Sequence, residues 1–460
     1  MVTQSSTRTL LDWMYSTSFE DIPPQVRQLA VLAVYDGIGG NLACSLLPMA
    51  HRLVDFVKIV GGAPDCSVIG FPDRTSVVNA ALVNGTLGHA DEVDAIEGDG
   101  LGAHILAANL AAALTAGQFA GTSGQEALRA LVLGYEVTKR THKVAARVAE
   151  SGAGNGGPSP TLIDAANTMG ATAAAGVALG LTPDKMNVAF SLAATMTCGI
   201  TPFARETEHM AKSLVRGGLG ARNGVMAALL AQTGYDAPRD IFDGPQGFFH
   251  SRLGVEDSGA EFISGLGGEY AISSVVFKRN CGGGPNQAPR QGLLELMEEN
   301  GLTSHNIDSI QVEVGPAGFN TITHVHHPSI EGKDVIALAA VYGGNGFRET
   351  HNEKYYRSPV VLALRERVSI VPREDWRGEG RFHAIVTINT KDGSELKRDS
   401  TYRLMDEDDV DAKFYSLVGM RAGETKAQEL AQDLKRLDLA TNMSEVMAAL
   451  QLPAAKIEDF

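Results

Sequence analysis

Residues 273–289 read SSVVFKRNCGGGPNQAP, and the texture of the chain changes around them. The short run of valine and phenylalanine suits a half-buried pleated surface, and three glycines and a proline end it at once. On the N-terminal side the chain reads as one helix after another. PPQVRQLAVLAVYDGIGGNLA (23–43) starts with prolines and carries apolar residues at three- and four-residue spacing. SVVNAALVNGTLGHA (76–90), AHILAANLAAALTAGQFAG (103–121) and GQEALRALVLGYEVTKRTHKVAARVAE (124–150) continue the pattern. In TPDKMNVAFSLAATMTCG (182–199), a threonine N-cap precedes a proline at the first helical position. Alanine and glycine on facing sides allow such helices to approach closely.

On the C-terminal side, IDSIQVEVG (307–315), RERVSIVP (365–372) and HAIVTINTKDGSELKRDSTY (383–402) are β-branched and partly alternating. The last contains Lys391-Asp392-Gly393, a hairpin-turn signal. Helical stretches lie between these strands, and the pattern is helical again from DEDDVDAKFYSLVG onward. The expected fold is mainly α with an inserted α+β domain. Residues 1–265 and 404–460 build a large all-helical domain from both chain ends, and residues 266–403 form the smaller α+β lid domain.

Composition narrows the function classes. The 460 residues are 44 % hydrophobic and 20 % charged, which suits a globular protein, and the formal net charge of −15 repels nucleic acid and anionic lipid surfaces. The four cysteines, Cys44, Cys66, Cys198 and Cys281, are too dispersed for a disulfide framework or a thiolate zinc site. With no basic-then-apolar leader pattern at the start and no long apolar run, a cytoplasmic protein without membrane contact is expected.

Three segments can carry chemistry. GTLGHADEVDAIEGDGLGAH (85–104) interleaves His89, Asp91, Glu92, Asp94, Glu97, Asp99 and His104 with glycines. Glycine is a poor helix former, so an irregular loop is expected, with general acids, general bases or metal ligands among those groups. A solvated acidic turn is the plain alternative. Lys278 ends the apolar run of the opening stretch, where lost hydration lowers an ammonium pKa towards usable acid–base chemistry. RETEHMAKSLVRGGLGARNG (205–224) concentrates Arg205, His209, Lys212, Arg216 and Arg222, suited to binding carboxylates. The histidines of THVHHPSIEG, His324, His326 and His327, read as a strand that splits them between two faces, which disfavours a shared metal.

The order of DGIGG, GGAPDCSVIGFPDRTSVVNAALVNGTLGHADEVDA, GLTPDKMNVAFSLAATMTCGI, GGLGARNGVMAALLAQTGYD, FKRNCGGGPNQAP and EGKDVIALAAVYGG resembles the MmgE/PrpD family over nearly the whole chain. That family includes 2-methylcitrate dehydratase, cis-aconitate decarboxylase and iminodisuccinate epimerase. The resemblance implies a site between two domains, a homodimer, no metal or organic cofactor, and proton transfer at a carbon next to a carboxylate. It marks Asp91, Asp94, His104 and Lys278 as catalytic candidates. Arg222 matches a substrate-binding position, with Arg216, Lys212, His209 and Tyr342 as further candidates. Three family groups are replaced: a histidine by Thr161, a lysine by Ser213 next to Lys212, and a tyrosine by Leu338, four residues before Tyr342. The expected function is a cofactor-free lyase of a small polycarboxylate. An epimerase using the same proton transfer is the alternative, and a metal-dependent hydrolase using His89, Asp91, Asp94 and His104 is a third reading.

Overall fold

The computed structural model describes residues 5–98, 103–150, 160–197, 210–255, 258–344, 346–376 and 382–460. It is mostly helical, with small sheets. The helix Leu106–Ala120 has no polar face and is buried from Leu106 to Gln118, so neighbouring helices surround it. Glycine permits the tightest of these approaches. A Cβ at Gly134 would lie 2.7 Å from Asn109 Oδ1 and 2.8 Å from Gly170 O, joining the helices Gly124–Glu150 and Pro160–Ala178 to the central one. The expected start at Thr182 is present, its side chain accepting from Lys185 N.

The C-terminal helix Glu407–Ala422 lies along Pro24–Cys44, where the rings of Tyr35 and Phe414 stack with centroids 3.9 Å apart. Val410, Phe414 and Val418 enter the same hydrophobic core as Leu10, Val34 and Leu110. A separate core gathers buried residues between Ala288 and Tyr402. It lies against a four-stranded sheet in the order Val368–Pro372, Ile307–Val314, His383–Thr390, Glu395–Thr401. The first pair is parallel and the other two are antiparallel. Lys391-Asp392-Gly393 makes the expected turn, with Gly393 at φ 92° and its N–H donating to Thr390 O. Edge strand Glu395–Thr401 presents Lys397 and Arg398, charges that discourage a further strand from pairing.

Three local expectations are corrected. Gly85–Leu87 are the last turn of the helix Val77–Leu87, and Ile96–Glu97 form a strand, so the irregular part of the acidic segment is shorter than its glycines suggest. The apolar run before Lys278 contributes only the two-residue strand Val275–Val276, which pairs antiparallel with Ile96–Glu97. That small ladder brings the acidic loop and the lysine segment together across the chain. His324 ends the helix Pro316–Thr323 instead of lying in a strand, and His326 and His327 follow it in a loop. Cys44, Cys66 and Cys281 are buried free thiols, and Cys198 lies outside the described residues. Among the described residues no single helix is long and apolar enough to cross a membrane.

Candidate active site

The loop between Leu87 and Ile96 is anchored through its own backbone. Ser213 Oγ donates to His89 O at 3.0 Å, Gly282 N to Asp91 O at 3.0 Å, the Lys278 ammonium to Glu92 O, and Lys413 Nζ to Val93 O at 2.8 Å. Four donors from three segments thus hold four carbonyls within five residues. Glu92 sits in the left-handed region at φ 50°, a conformation that costs a non-glycine residue energy and persists only where the surroundings enforce it.

Inside this frame Asp94 is the hub. Its Oδ1 lies 3.1 Å from His89 Nδ1 and its Oδ2 lies 3.0 Å from His104 Nδ1. Lys278 Nζ is 3.9 Å from Oδ1, and the two imidazole rings meet edge to face with centroids 4.2 Å apart. Burial would raise the Asp94 carboxyl, but the two histidines hold it well below the usual range. Burial pushes His104 down to about 4, against the pull of Asp94, and Lys278 and Arg216 push the same way. His89 is lowered for the same first reason, with His104 adding to it. Both imidazoles are therefore neutral at pH 7. An ionised carboxylate accepts from both Nδ1–H groups, which leaves each Nε2 as the basic nitrogen. Burial brings Lys278 down to about 8, although Asp94 opposes it.

Charged pairs ring the hub. Lys212 bonds Glu92, Arg216 Nε lies 3.7 Å from Asp164 Oδ1, and His351 Nε2 lies 2.8 Å from Asp91 Oδ1. Arg216 stands on the π-helical turn Leu214–Leu219, and such turns recur at functional sites. Gly85 lets that turn approach closely, since a Cβ there would lie 2.5 Å from Gly217 O. Burial raises Asp164 to about 6, with Arg216 opposing the rise. His89, Glu92 and His104 offer ligand atoms within 4.8 Å of one another. In this arrangement Glu92 is already held by Lys212, and a dication there would face the ammonium groups of Lys212 and Lys278. The donor set suits anion chemistry better than a metal.

Residues 8–259 match the MmgE/PrpD N-terminal domain and residues 286–438 match the MmgE/PrpD C-terminal domain. The chain belongs to the MmgE/PrpD family. Relatives include the cis-aconitate decarboxylase of Aspergillus terreus, 24 % identical over 97 % of this chain and 96 % of that protein. Another is the cis-aconitate decarboxylase-like protein oryM of Aspergillus oryzae, 29 % identical over 64 % of this chain and 61 % of its own length. Family and relatives together support an enzyme with lyase activity of the dehydratase or decarboxylase kind.

The candidates expected of an MmgE/PrpD protein divide on inspection. Asp94, His104 and Lys278 are brought together and buried. Asp91 is in the same loop but engages His351. Lys212 and Arg216 reach the loop region, while Arg222 is half-buried with no described residue paired to it. His209 lies outside the described residues. Tyr342 is exposed, its hydroxyl donating to Ser358 Oγ at 3.1 Å, so it does not join the cluster. Glu97, for which a solvated acidic turn was the plain alternative, is buried between Tyr135 Oη at 2.5 Å, Lys139 Nζ at 2.6 Å and Ser274 Oγ at 2.8 Å. Asp99 lies outside the described residues. Asp36, Asp164, His351 and Lys413 were not anticipated. Only Asp36 left a signal, as a lone charge in the apolar stretch LAVLAVYDGIGG.

Proposed function

We propose that this protein is a cofactor-free lyase acting on a small polycarboxylate, with Lys278 as its proton donor and Asp94-held His104 as the partner base. The observation that carries the reading is the buried cluster itself, in which a lysine lowered to about 8 sits beside a carboxylate that holds two neutral imidazoles. An ammonium at that midpoint is charged at pH 7 yet gives up its proton readily. The similarity to the Aspergillus terreus cis-aconitate decarboxylase extends over almost the full chain and favours decarboxylation.

In that reaction the bond from carbon to the departing carboxylate breaks and carbon dioxide leaves. The electron pair is delocalised towards a neighbouring carboxylate as an enediolate, and fixed cations lower the cost of that charge. Arg216, Arg222 and Lys212 hold the substrate carboxylates. The Lys278 ammonium then delivers its proton to carbon, and solvent restores it. In this reading the unit 266–403 acts as the lid that excludes water over the helical domain.

The test is proton NMR in deuterium oxide with 2-methylcitrate, cis-aconitate and iminodisuccinate, repeated with Lys278→Ala. A new alkene or a decarboxylated product is expected, with turnover falling at least about 10²-fold in the variant. A diastereomer as the sole product moves the assignment to an epimerase. Turnover unaffected by the substitution overturns the role of Lys278.

A further inference from the structure

Asp36 lies in the helix Pro24–Cys44, within a stretch buried from Ala33 to Cys44. Lys413 lies in Glu407–Ala422, nearly at the other end of the chain. Their side chains meet in the core, with Lys413 Nζ 2.6 Å from Asp36 Oδ1 and 0 % and 3 % exposure for the aspartate and lysine side chains. Desolvating such a pair is expensive, and well-packed apolar residues in its place are often at least as stabilising. Joining two helices therefore does not account for it. The second bond of Lys413 does: the same ammonium donates to Val93 O at 2.8 Å, the carbonyl of the peptide bond to Asp94. Asp36 Oδ2 has no hydrogen-bond partner among the described residues, so that carboxylate's remaining field is not absorbed by a second donor.

We propose that Asp36 and Lys413 are positioning residues of the active site: the pair holds the backbone that carries Asp94, and its two members act in opposite senses on the nearby Lys278 ammonium. The groups around that ammonium are the Asp94 carboxylate at 3.9 Å and the carbonyls of Glu92 and Gly282. The Glu92 carboxylate is taken by Lys212, and His104 shares Asp94. Burial is the largest influence on Lys278 and lowers it. Asp94, Asp91 and Asp36 act upward, while Lys413 acts downward. The two members of the pair thus push the same ammonium in opposite directions, which loss of packing cannot imitate.

The inference rests on Lys278 being the proton-transfer group, so its test reads the lysine without turnover. Full-length protein carrying ¹⁵N-lysine is titrated by NMR without substrate, with the Lys278 signal assigned by its loss in Lys278→Met. Lys413→Met is expected to raise the Lys278 midpoint and Asp36→Asn to lower it, each by roughly half a pH unit. The double variant should fall between them. The high-pH limb of kcat should shift with the midpoint in each variant. Asp36→Asn keeps an acceptor for Lys413 and carries the test alone if Lys413→Met does not fold. Unmoved midpoints, or shifts of one sign in both single variants, overturn the inference. If the midpoints move as expected but no polycarboxylate is turned over, the proposed function fails and the electrostatic role of the pair stands.

Discussion

Asp91 and Asp94 are three residues apart in one loop, both buried, and both facing histidine, yet their partners titrate in opposite directions. Asp94 is shared by His89 and His104, with Lys278 close by and Arg216 also acting on His104, and the two imidazoles are held neutral. Asp91 serves His351. Burial alone would lower His351, but the undivided carboxylate and the bond between the His351 ring and Phe347 O raise it. The His351 side chain is 6 % exposed and lines a cavity of about 470 Å³ with Arg52, His326 and His327. One carboxylate divided between two imidazoles in a cationic surround does not offset their burial, whereas one carboxylate with a single imidazole and a backbone acceptor does. The first arrangement supplies basic nitrogens, and the second ties the back of the loop to the helix Phe347–His351.

The sharpest way to break this contrast is to neutralise each aspartate. Asp94→Asn leaves one acceptor oxygen for two Nδ1–H groups and removes the negative charge between them, and should lower kcat on the order of 10³-fold, whereas Asp91→Asn should cost less than about tenfold. Equal losses in steady-state kinetics would remove the distinction. A smaller effect appears in stability against pH. His104 is lowered to about 4 in the fold against an ordinary 6.5, so the folded state resists a proton that the unfolded chain accepts. Its contribution is lost as pH falls from 6.5 towards 4, a span equivalent to about 3 kcal/mol. The His104→Gln variant should therefore lose less stability than the wild type between pH 7.5 and 4.5 in thermal melts. His351 carries the opposite sign. Its raised value makes its contribution complete below 6.5 and lost as pH rises through the folded midpoint. Accordingly, His351→Gln should be destabilised more at pH 6 than at pH 9, and slopes of the same sign for both variants would contradict the comparison. The smallest effect is expected at Tyr342→Phe, which removes an exposed bond to Ser358 and should leave kcat/KM within about twofold.

Much of the architecture was legible in local pattern. Helical periodicity, the threonine cap at 182, the Lys391-Asp392-Gly393 turn and the change of texture near residue 265 depend on neighbours a few residues apart. Asp94, His104 and Lys278 were legible as candidates through the order of motifs along the chain. What those groups do there was not legible, because a side chain's proton affinity depends on lost hydration and on partners from other elements. Lys413 reaches Asp36 across 377 residues, and Glu97 finds Tyr135, Lys139 and Ser274 on two other segments. Periodicity reports the face an element turns inward, not the charge that waits on the other side. Sequence placed the lysine, the histidine and the aspartate on their elements, and packing supplied the desolvation and opposing charges that lower the proton affinity of His104 and raise that of His351.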